Sequence, residues 1–410
     1  MNDDRRSSGK TIFVPYMCDH AYALAAAMRA YAMDAEVLPP PDDETLADGL
    51  AQGRGRECMP CFTVIGDVLR RARQPGFDPA RAALLLPTTA GPCRFGQYRA
   101  LVRDILDRRG LAAIEILSPT AANSYQGFGP HATDVRIQAW QGIVAVDLLQ
   151  KLLHEHRPYE REPGRTDAIY QEHLRAIVQA VERRSRSGLA AAMRGAARAF
   201  SALPVDRATR RPIIGVVGEV YLRANAYSNQ QIIRRIEAAG GEAVVATMME
   251  WLYFTNWDFL LLARLSNDYP ACLATWLTDR YQRRLERRLL KPAERLLTFA
   301  HETPIAAIVA NIRPYFDAPA GGGTEAVLSM GKAIDFARRH VAGIVNVMPF
   351  SCMPGIITAG IAPRLRADLG GIPWLDVIYD AQGGTNLNTR LEAFMYQARQ
   401  FHEQAMLAAT

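Results

Sequence analysis

Short apolar runs alternate with helix-like segments in two series along this chain, one on each side of a long helical stretch. The strand-sized runs lie at residues 11–15, 35–38, 82–86 and 113–117 in the first series, and at 212–220, 242–246, 305–310, 343–348 and 374–379 in the second. Strands that alternate with helices form parallel sheets covered by helices on both faces. We therefore expect an α/β fold with two doubly wound, flavodoxin- or Rossmann-like parallel-sheet lobes joined by a helical segment.

The length of the chain also favours more than one lobe. Its 410 residues exceed what a single hydrophobic core usually organises. We expect an N-terminal α/β lobe over residues 1–135, a helical connecting segment over 136–210 and a C-terminal α/β lobe over 211–410. The run at 212–220 has almost no polar residue, so we expect it to be a central strand that is buried on both faces.

Composition excludes several function classes. Apolar residues make up 49% and charged residues 22% of the chain, which is the mix of a soluble globular protein. The apolar runs are far too short to cross a membrane, and the first ten residues do not resemble an export signal. We therefore expect a cytoplasmic protein. The net charge of +6 comes without the aromatic and basic pattern of a nucleic-acid surface, so we expect neither a nucleic-acid nor a membrane partner.

Five of the six cysteines lie in short loops that are rich in Pro, Gly or Met. These are Cys18, Cys58, Cys61, Cys93 and Cys352. Three of the loops follow predicted strands, and the Cys58–Cys61 loop opens a predicted helix. Ligands of open α/β sheets bind outside the carboxyl ends of the strands, and gathered thiols suit a soft metal centre. The pattern predicts an iron–sulfur cluster, and we expect Cys61 to cap the helix that follows it and to benefit from the helix dipole.

Other uses of the thiols stay open at this point. A single CxxC spacing also occurs in zinc sites and redox dithiols, although zinc usually takes paired short spacings. Purely structural thiols are a further alternative. Cys272 lies in an apolar helical setting and is predicted to be a small core hydrophobe.

Polar residues near predicted strand ends form a second set of candidates. Glu219 and Arg223 follow the central strand, where they form either a substrate-binding or proton-handling set or a structural ion pair. His20 follows Cys18 and is a candidate proton donor, although a helix-capping histidine is the simpler role. The glycines at 321–323 precede a helix and suit an anion, but no Gly-Lys-Ser/Thr ending is present, so we predict no ATPase activity. His154 and His156 are predicted to be solvated.

In combination, several motifs resemble those of one family and span residues 11–404. The motifs are Glu57-Cys58-Met59-Pro60-Cys61, Gly91-Pro92-Cys93-Arg94-Phe95-Gly96-Gln97-Tyr98, Gly218-Glu219 with Arg223, Pro349-Phe350-Ser351-Cys352-Met353-Pro354 and Arg390-Leu391-Glu392-Ala393-Phe394-Met395-Tyr396-Gln397. They look like the C-terminal part of the large CoA-substrate-specific enzyme activases. That part is related to the 2-hydroxyacyl-CoA dehydratase and benzoyl-CoA reductase subunits and to the double-cubane cluster proteins.

The resemblance implies a cofactor and two partners. It implies an oxygen-sensitive cluster, either [4Fe–4S] or a double-cubane [8Fe–9S] centre, which is reduced by a separate ATP-hydrolysing activator with its own [4Fe–4S] cluster. It also implies a homodimer. A symmetric double cubane takes more thiolates than the five in these loops, so Cys272 or a non-cysteine ligand completes that set, or a single cubane forms. No CoA pocket is evident in the sequence.

The sequence thus predicts an iron–sulfur protein with its cluster between the lobes. Cys18, Cys58, Cys61 and Cys93 approach it from the first lobe and Cys352 from the second. The cluster would accept low-potential electrons from the activator and pass them to a small substrate, which is reduced or dehydrated as in a 2-hydroxyacyl-CoA dehydratase. Glu219, Arg223 and His20 are the candidates for proton delivery. The alternatives are a non-enzymatic cluster carrier or scaffold, and a zinc-dependent hydrolase or small-molecule binding module.

Overall fold

A computed structural model describes residues 9–88, 93–120, 128–317, 325–381 and 386–409. The chain forms two compact units. Unit 1 comprises Met1–Val146 and Arg175–Ala192, and unit 2 comprises Asp147–Leu174 and Met193–Thr410. The predicted anion-binding glycines at 321–323 lie outside the described residues, as do Gly91 and Pro92 of the Cys93 motif.

Unit 1 contains a four-stranded parallel sheet. Its strands are β1 (Thr11–Val14), β2 (Ala35–Val37), β3 (Ala82–Leu85) and β4 (Glu115–Leu117), in the order β2-β1-β3-β4. Its first four helices are α1 (His20–Arg29), α2 (Asp43–Leu50), α3 (Met59–Ala72) and α4 (Tyr98–Arg108). All strand pairs are parallel.

Helices cover both faces of this sheet. On one face, Val64 and Ile65 of α3 and Val102 of α4 pack with β-strand side chains such as Leu84. On the other face, the alanine-rich helix α1 packs its small side chains and Met28 against Leu85 and its neighbours. Because successive strand residues point to opposite faces, runs that are apolar throughout suit a sheet buried on both sides. The prediction of a doubly wound sheet is confirmed.

The long helical stretch is also confirmed. It consists of α5 (Ala132–His156), α6 (Arg165–Glu182) and α7 (Arg186–Ser201), and each of these helices contributes residues to both units. The prediction that His154 and His156 are solvated is wrong. His156 is buried and its Nδ1 lies 2.8 Å from the Leu152 carbonyl. Burial lowers the pKa of His156 to about 4 and that of His154 to about 3, because it disfavours the charged imidazolium.

Unit 2 repeats the strand topology of unit 1. Its strands are β5 (Ile213–Gly218), β6 (Glu242–Val245), β7 (Gly343–Pro349) and β8 (Trp374–Tyr379), in the parallel order β6-β5-β7-β8. Its helices are α8 (Val220–Ala224), α9 (Ile232–Ala238), α10 (Met248–Leu265), α11 (Tyr269–Leu290), α12 (Ile305–Ile312), α13 (Glu325–Arg338), α14 (Met353–Asp368) and α15 (Leu387–Ala409). As predicted, β5 is an inner strand.

Glycines allow the helices of unit 2 to approach its sheet closely. A Cβ on Gly215 of β5 would lie 2.6 Å from the Phe336 ring of α13, and a Cβ on Gly343 of β7 would lie 2.7 Å from the Phe394 ring of α15. Gly215 pairs with Ile344, so Gly215 and Gly343 face opposite sides of the sheet. This sheet is therefore also covered on both faces, and the fold expected for the second lobe is confirmed.

One predicted strand is wrong. Residues 305–310 belong to helix α12, whose buried residues are Ile305, Ile308, Val309 and Ile312. That spacing of three and four residues is typical of one helix face, and a short apolar run does not distinguish it from a strand. The face packs against α13, where a Cβ on Gly331 would come within 2.5 Å of the Ile308 carbonyl oxygen.

Among the residues that the structure describes, no helix combines the length and the apolar composition that crossing a membrane requires.

Candidate functional site

The predicted ligand loops of unit 1 occur where parallel strands end and helices begin. Cys18 follows β1 and Cys93 follows β3, the adjacent inner strand. Helix α3, which begins beside Cys58, returns towards the start of β3, so it also begins at the carboxyl edge. The same edge of one sheet therefore carries all four predicted thiols of this unit.

Cys58 and Cys61 lie at the start of α3. Cys58 is the N-cap residue, with φ −86° and ψ 157°, and Pro60 occupies the first turn. The prediction that Cys61 caps the helix is wrong by one turn, since Cys61 is the third helical residue and its N–H donates to the Cys58 carbonyl at 2.9 Å. A proline in the first turn loses no helical hydrogen bond, which explains why the cap falls before Pro60. Both thiols still lie where the helix dipole favours an anion.

Burial governs the thiol chemistry at this position. Cys61 is 1% exposed. Burial raises the pKa of its thiol well above the usual range, Cys58 and Glu57 raise it further, and the Arg94 guanidinium opposes them. The Cys61 thiol therefore remains neutral at physiological pH unless a positively charged partner binds it.

The Cys93 segment lies against the start of α3. Cys93 is exposed and caps the 3₁₀ turn Arg94–Gln97, and its Sγ accepts a hydrogen bond from the Phe95 N–H at 3.4 Å. This turn leads into α4, whose first residue, Tyr98, places its hydroxyl 2.6 Å from Cys58 Sγ. Arg94 donates to the Arg56 carbonyl, two residues before Cys58. The structure thus brings the loops of Cys58, Cys61 and Cys93 together.

Cys18 pairs with the neighbouring candidate His20. The Cys18 thiol is buried and lies 3.1 Å from His20 Nδ1, and His20 is the buried first residue of α1. The contact orients Cys18 at the carboxyl end of β1. The structure therefore places His20 as a partner of a thiol.

The donor atoms of unit 1 fit a thiophilic centre in kind, since they are sulfurs at a helix N-terminus with an arginine nearby. Across the described ranges, however, no three His, Cys, Asp or Glu side chains are already arranged to hold a metal ion. A cluster held by Cys58, Cys61 and Cys93 therefore requires these side chains to turn towards a common point.

Unit 2 places carboxyl groups at the corresponding edge. Glu219 follows β5, caps α8 and accepts hydrogen bonds from the N–H groups of Tyr221 at 3.0 Å and Leu222 at 2.9 Å. Glu325, the first residue of α13, accepts from the Val220 N–H at 3.0 Å. Two carboxyl groups from distant parts of the chain, Glu219 and Glu325, therefore share the first turn of α8.

The electrostatics of this carboxyl pair favour a bound proton. Burial raises the pKa of both groups, and the Glu219 charge raises that of Glu325 further, while Arg223 and the backbone N–H groups act in the opposite direction. Two buried carboxylates at close range do not both ionise readily. We therefore expect the pair to hold a proton at neutral pH.

Arg223 is a buried cation beside this pair. Its guanidinium donates to the Gly218 carbonyl at 3.1 Å and to the Thr247 carbonyl at 3.2 Å, and only 3% of the residue is exposed. These bonds, and not a direct ion pair with Glu219, hold the guanidinium in place. Gly218 is required here, because its φ is +117° and a Cβ would lie 2.0 Å from the Val347 carbonyl oxygen.

Cys352 belongs to unit 2 and follows β7. It is buried and caps α14, with a proline in the first turn as at Cys58. The tripeptide Cys-Met-Pro thus opens a helix in each unit. Three apolar residues beside Cys352 are exposed, namely Phe350 (62%), Met353 (40%) and Ile356 (60%).

Glu325 and a buried ionic network on the same helix were not predicted from the sequence. Lys332 of α13 lies 2.6 Å from Glu250 and 2.8 Å from Glu302, and Lys151 lies 2.6 Å from Glu302. Thr247 connects this network to Arg223, since its hydroxyl donates to Glu302 at 3.1 Å. The available signal was a lone lysine within the apolar sequence of α13, because a charge on a buried face requires a partner.

No protein-family model matches this chain, and no curated protein matches it. The functional interpretation therefore depends on the motifs and on the geometry described above.

Proposed function

We propose that this chain is an iron–sulfur protein that accepts low-potential electrons from a separate ATP-hydrolysing activator and uses them to reduce or dehydrate a small substrate. The observation that carries the proposal is the start of α3. There two cysteine thiols occupy the first turn of a buried helix, and the segment of a third cysteine packs directly against them.

Unit 1 would hold the cluster through Cys58, Cys61 and Cys93, with Cys18 nearby on the adjacent strand. When bound, a cluster supplies one-electron chemistry and an open iron site. The chain itself supplies the helix N-terminus and Arg94, which stabilise negative charge on sulfur. Cys352 stays a predicted ligand on sequence grounds.

Unit 2 would hold the proton that the reaction requires and donate it to the substrate. Reduction and dehydration both require a proton to be added to a leaving or accepting atom. The Glu219–Glu325 pair holds a proton on a carboxyl oxygen, and Arg223 keeps one charge of the pair balanced. A buried carboxylic acid with a raised pKa is suited to act as a general acid near neutral pH.

The proposed partners follow from the resemblance. The electron donor would be an activator with its own [4Fe–4S] cluster, and two copies of this chain would form a homodimer. A CoA ester is the substrate class that the family resemblance implies. A reduced, oxygen-sensitive cluster would require a reducing compartment, so we place the protein in the cytoplasm.

A non-enzymatic carrier or scaffold is the second candidate. The observation in its favour is the burial of Cys58 and Cys61, which are 9% and 1% exposed, because buried ligands leave little access for a substrate. The two functions differ in turnover. A carrier would accept electrons from the activator and pass them only to a partner protein.

Anaerobic purification followed by iron and acid-labile sulfide analysis tests the cluster. We expect about four or eight irons per chain, with broad absorption near 400 nm. Cys58→Ala and Cys93→Ala should each remove most of the iron, whereas Cys272→Ala is the matched control and should retain it. Zinc without iron in the wild-type protein would refute the proposal. ATP-dependent reduction of a small substrate in the presence of an activator would distinguish the enzyme from the carrier.

A further inference from the structure

Helices α10 and α11 form an arm with exposed apolar side chains. Between residues 259 and 281 the arm carries half of the large apolar side chains that are exposed in the described parts of the chain, which indicates a binding surface. Their exposed fractions range from 38% to 73%. They are Phe259, Leu262, Leu265, Tyr269, Leu273, Trp276, Leu277 and Tyr281.

The exposed residues of α11 follow helical spacing. Tyr269, Leu273, Trp276, Leu277 and Tyr281 are separated by three or four residues or are adjacent within the same stripe, so they occupy one face of the helix. A helix of a globular protein normally buries such a stripe. Here the opposite side of α11 packs on α10, and the stripe itself is exposed.

The exposed apolar area of the whole arm matches that of a specific protein interface. A large apolar side chain has an area of about 200 Å² when fully exposed, so the eight residues leave on the order of 800 Å² exposed. A stable interface of standard size takes about 800 Å² from each partner. The arm is therefore large enough to support a stable dimer without any other contact.

The charges around the stripe favour a second copy of this chain over an anionic membrane. Within residues 258–281, which span the exposed apolar side chains, acidic and basic residues are interspersed, with Asp258, Asp268 and Asp279 beside Arg264 and Arg280. The exposed arginines Arg284, Arg287 and Arg288 follow beyond these side chains, towards the end of α11. A surface that carries both signs is complementary to itself when it is related by a twofold axis, since an acid on one copy faces a base on the other. A membrane-binding helix would instead carry mainly basic residues on its polar face.

We infer that the arm is the homodimer interface, in which the α10–α11 hairpins of two copies pack into a four-helix bundle. A two-helix hairpin with an exposed apolar face has half of the helices of such a bundle. A second copy of the chain, related by a twofold axis, would provide the other two. The inference rests on the homodimer of the proposed function but not on its cluster, because Cys18, Cys58, Cys61, Cys93 and Cys352 all lie outside the arm. It can therefore be tested on protein with or without iron.

Light scattering after size-exclusion chromatography of the full chain tests the inference. The wild type should have twice the 45.4 kDa mass of one chain. Leu277→Glu and Leu273→Glu should each raise the dimer dissociation constant by at least about 30-fold, as expected when an interface hot spot is lost. Leu407→Glu, which alters an exposed leucine outside the arm (77% exposed), is the matched control and should remain dimeric.

Three outcomes would overturn the inference. The first is a wild-type monomer throughout the micromolar range. The second is a dimer that survives both arm substitutions, while circular dichroism shows that the variants are folded. The third is a wild-type monomer that floats with phosphatidylcholine–phosphatidylglycerol vesicles and loses this binding in Leu277→Glu, because the arm would then be a membrane surface.

Discussion

The two units have the same sheet topology but carry different chemistry at the carboxyl edge. In unit 1, the segments after the two inner strands carry Cys18 and Cys93, and Cys58 caps the helix that leads into β3. In unit 2, the helix that leads into β7 begins with Glu325, and the segment after β5 begins with Glu219. One scaffold thus presents sulfur donors in one unit and carboxyl groups in the other.

Under the proposed function, this difference would assign electron transfer to one unit and proton transfer to the other. Thiols bind soft metals and conduct electrons through them, whereas carboxyl groups of raised pKa exchange protons. Cys352 departs from this division, because it places a thiol at the edge of unit 2 after β7. Variants that separate the roles of the two edges therefore test the comparison directly.

The largest effect is expected from the thiols. Cys93→Ala and Cys352→Ala should each reduce the iron content sharply, because a cluster that loses one thiolate ligand is usually lost. Anaerobic iron and sulfide analysis measures this directly. If Cys352→Ala retains all of its iron while Cys93→Ala loses it, the division between the units is complete and Cys352 is not a ligand. Full iron in both variants would remove the ligand assignment.

The second effect concerns the buried charges of unit 2. Lys332→Met should lower the free energy of unfolding by about 3–5 kcal/mol, because Glu250 and Glu302 lose a buried cation. The matched change in unit 1, Arg108→Met, removes a pair with Asp104 in which both side chains are about half exposed. It should cost about 0.5 kcal/mol or less. Urea denaturation of both variants measures the two losses in the free energy of unfolding. Equal losses would contradict the expectation that the buried ion pairs of Lys332 stabilise the fold more than the exposed pair of Arg108.

The third effect concerns proton transfer. Glu325→Gln keeps an oxygen that can accept the Val220 N–H but removes the titratable carboxyl group, so the rate of substrate turnover should fall about 100-fold. Glu219→Gln with Glu325→Gln should be little worse than either change alone, because the two groups act as one unit. Glu294→Gln, at an exposed pair with His301, is the control. An unchanged pH–rate profile in Glu325→Gln would exclude the proton role.

The fold was largely predictable because each strand corresponds to a short apolar run that can be recognised in the sequence. The run at 212–220 has almost no polar residue and became the inner strand β5. The run at 305–310 was misassigned because six apolar residues suit a buried strand and a helix equally well. In the folded chain this run packs as a helix against α13. Gly331 of α13 makes the close packing possible, because it has no side chain to collide with the α12 backbone.

The site was predictable in part. Loops after strands drew attention to the cysteines and to Glu219, since position along the chain is enough to place them at a sheet edge. Glu325 was missed because its role depends on a contact with Val220 across 105 residues. The exposure of the arm could not be predicted from the sequence either, because apolar residues at helical spacing normally predict a buried face.

The last comparison concerns the pH response of one buried carboxyl group in each unit, Asp67 and Glu302. Asp67 of α3 in unit 1 is 1% exposed, and neither of its carboxyl oxygens accepts a hydrogen bond from the described residues. Burial raises its pKa to about 8, opposed only in part by Arg70. Glu302 of unit 2 shifts in the opposite direction, because Lys151 and Lys332 outweigh burial and lower its pKa. The two carboxyl groups should therefore make opposite contributions to stability.

Between about pH 4 and pH 8, folded Asp67 keeps a proton that the unfolded chain has lost, so its contribution to stability falls as the pH rises. The slope is about 1.4 kcal/mol per pH unit in this range. Glu302 instead loses its stabilising contribution as the pH falls below about 4. Asp67→Asn should make the slope between pH 5 and pH 7 less negative by about 1.4 kcal/mol per pH unit in urea titrations, whereas the half-exposed control Asp104→Asn should leave it unchanged. An unaltered slope in Asp67→Asn would mean that Asp67 is ionised in the folded protein, with Arg70 as its counter-ion at 3.6 Å.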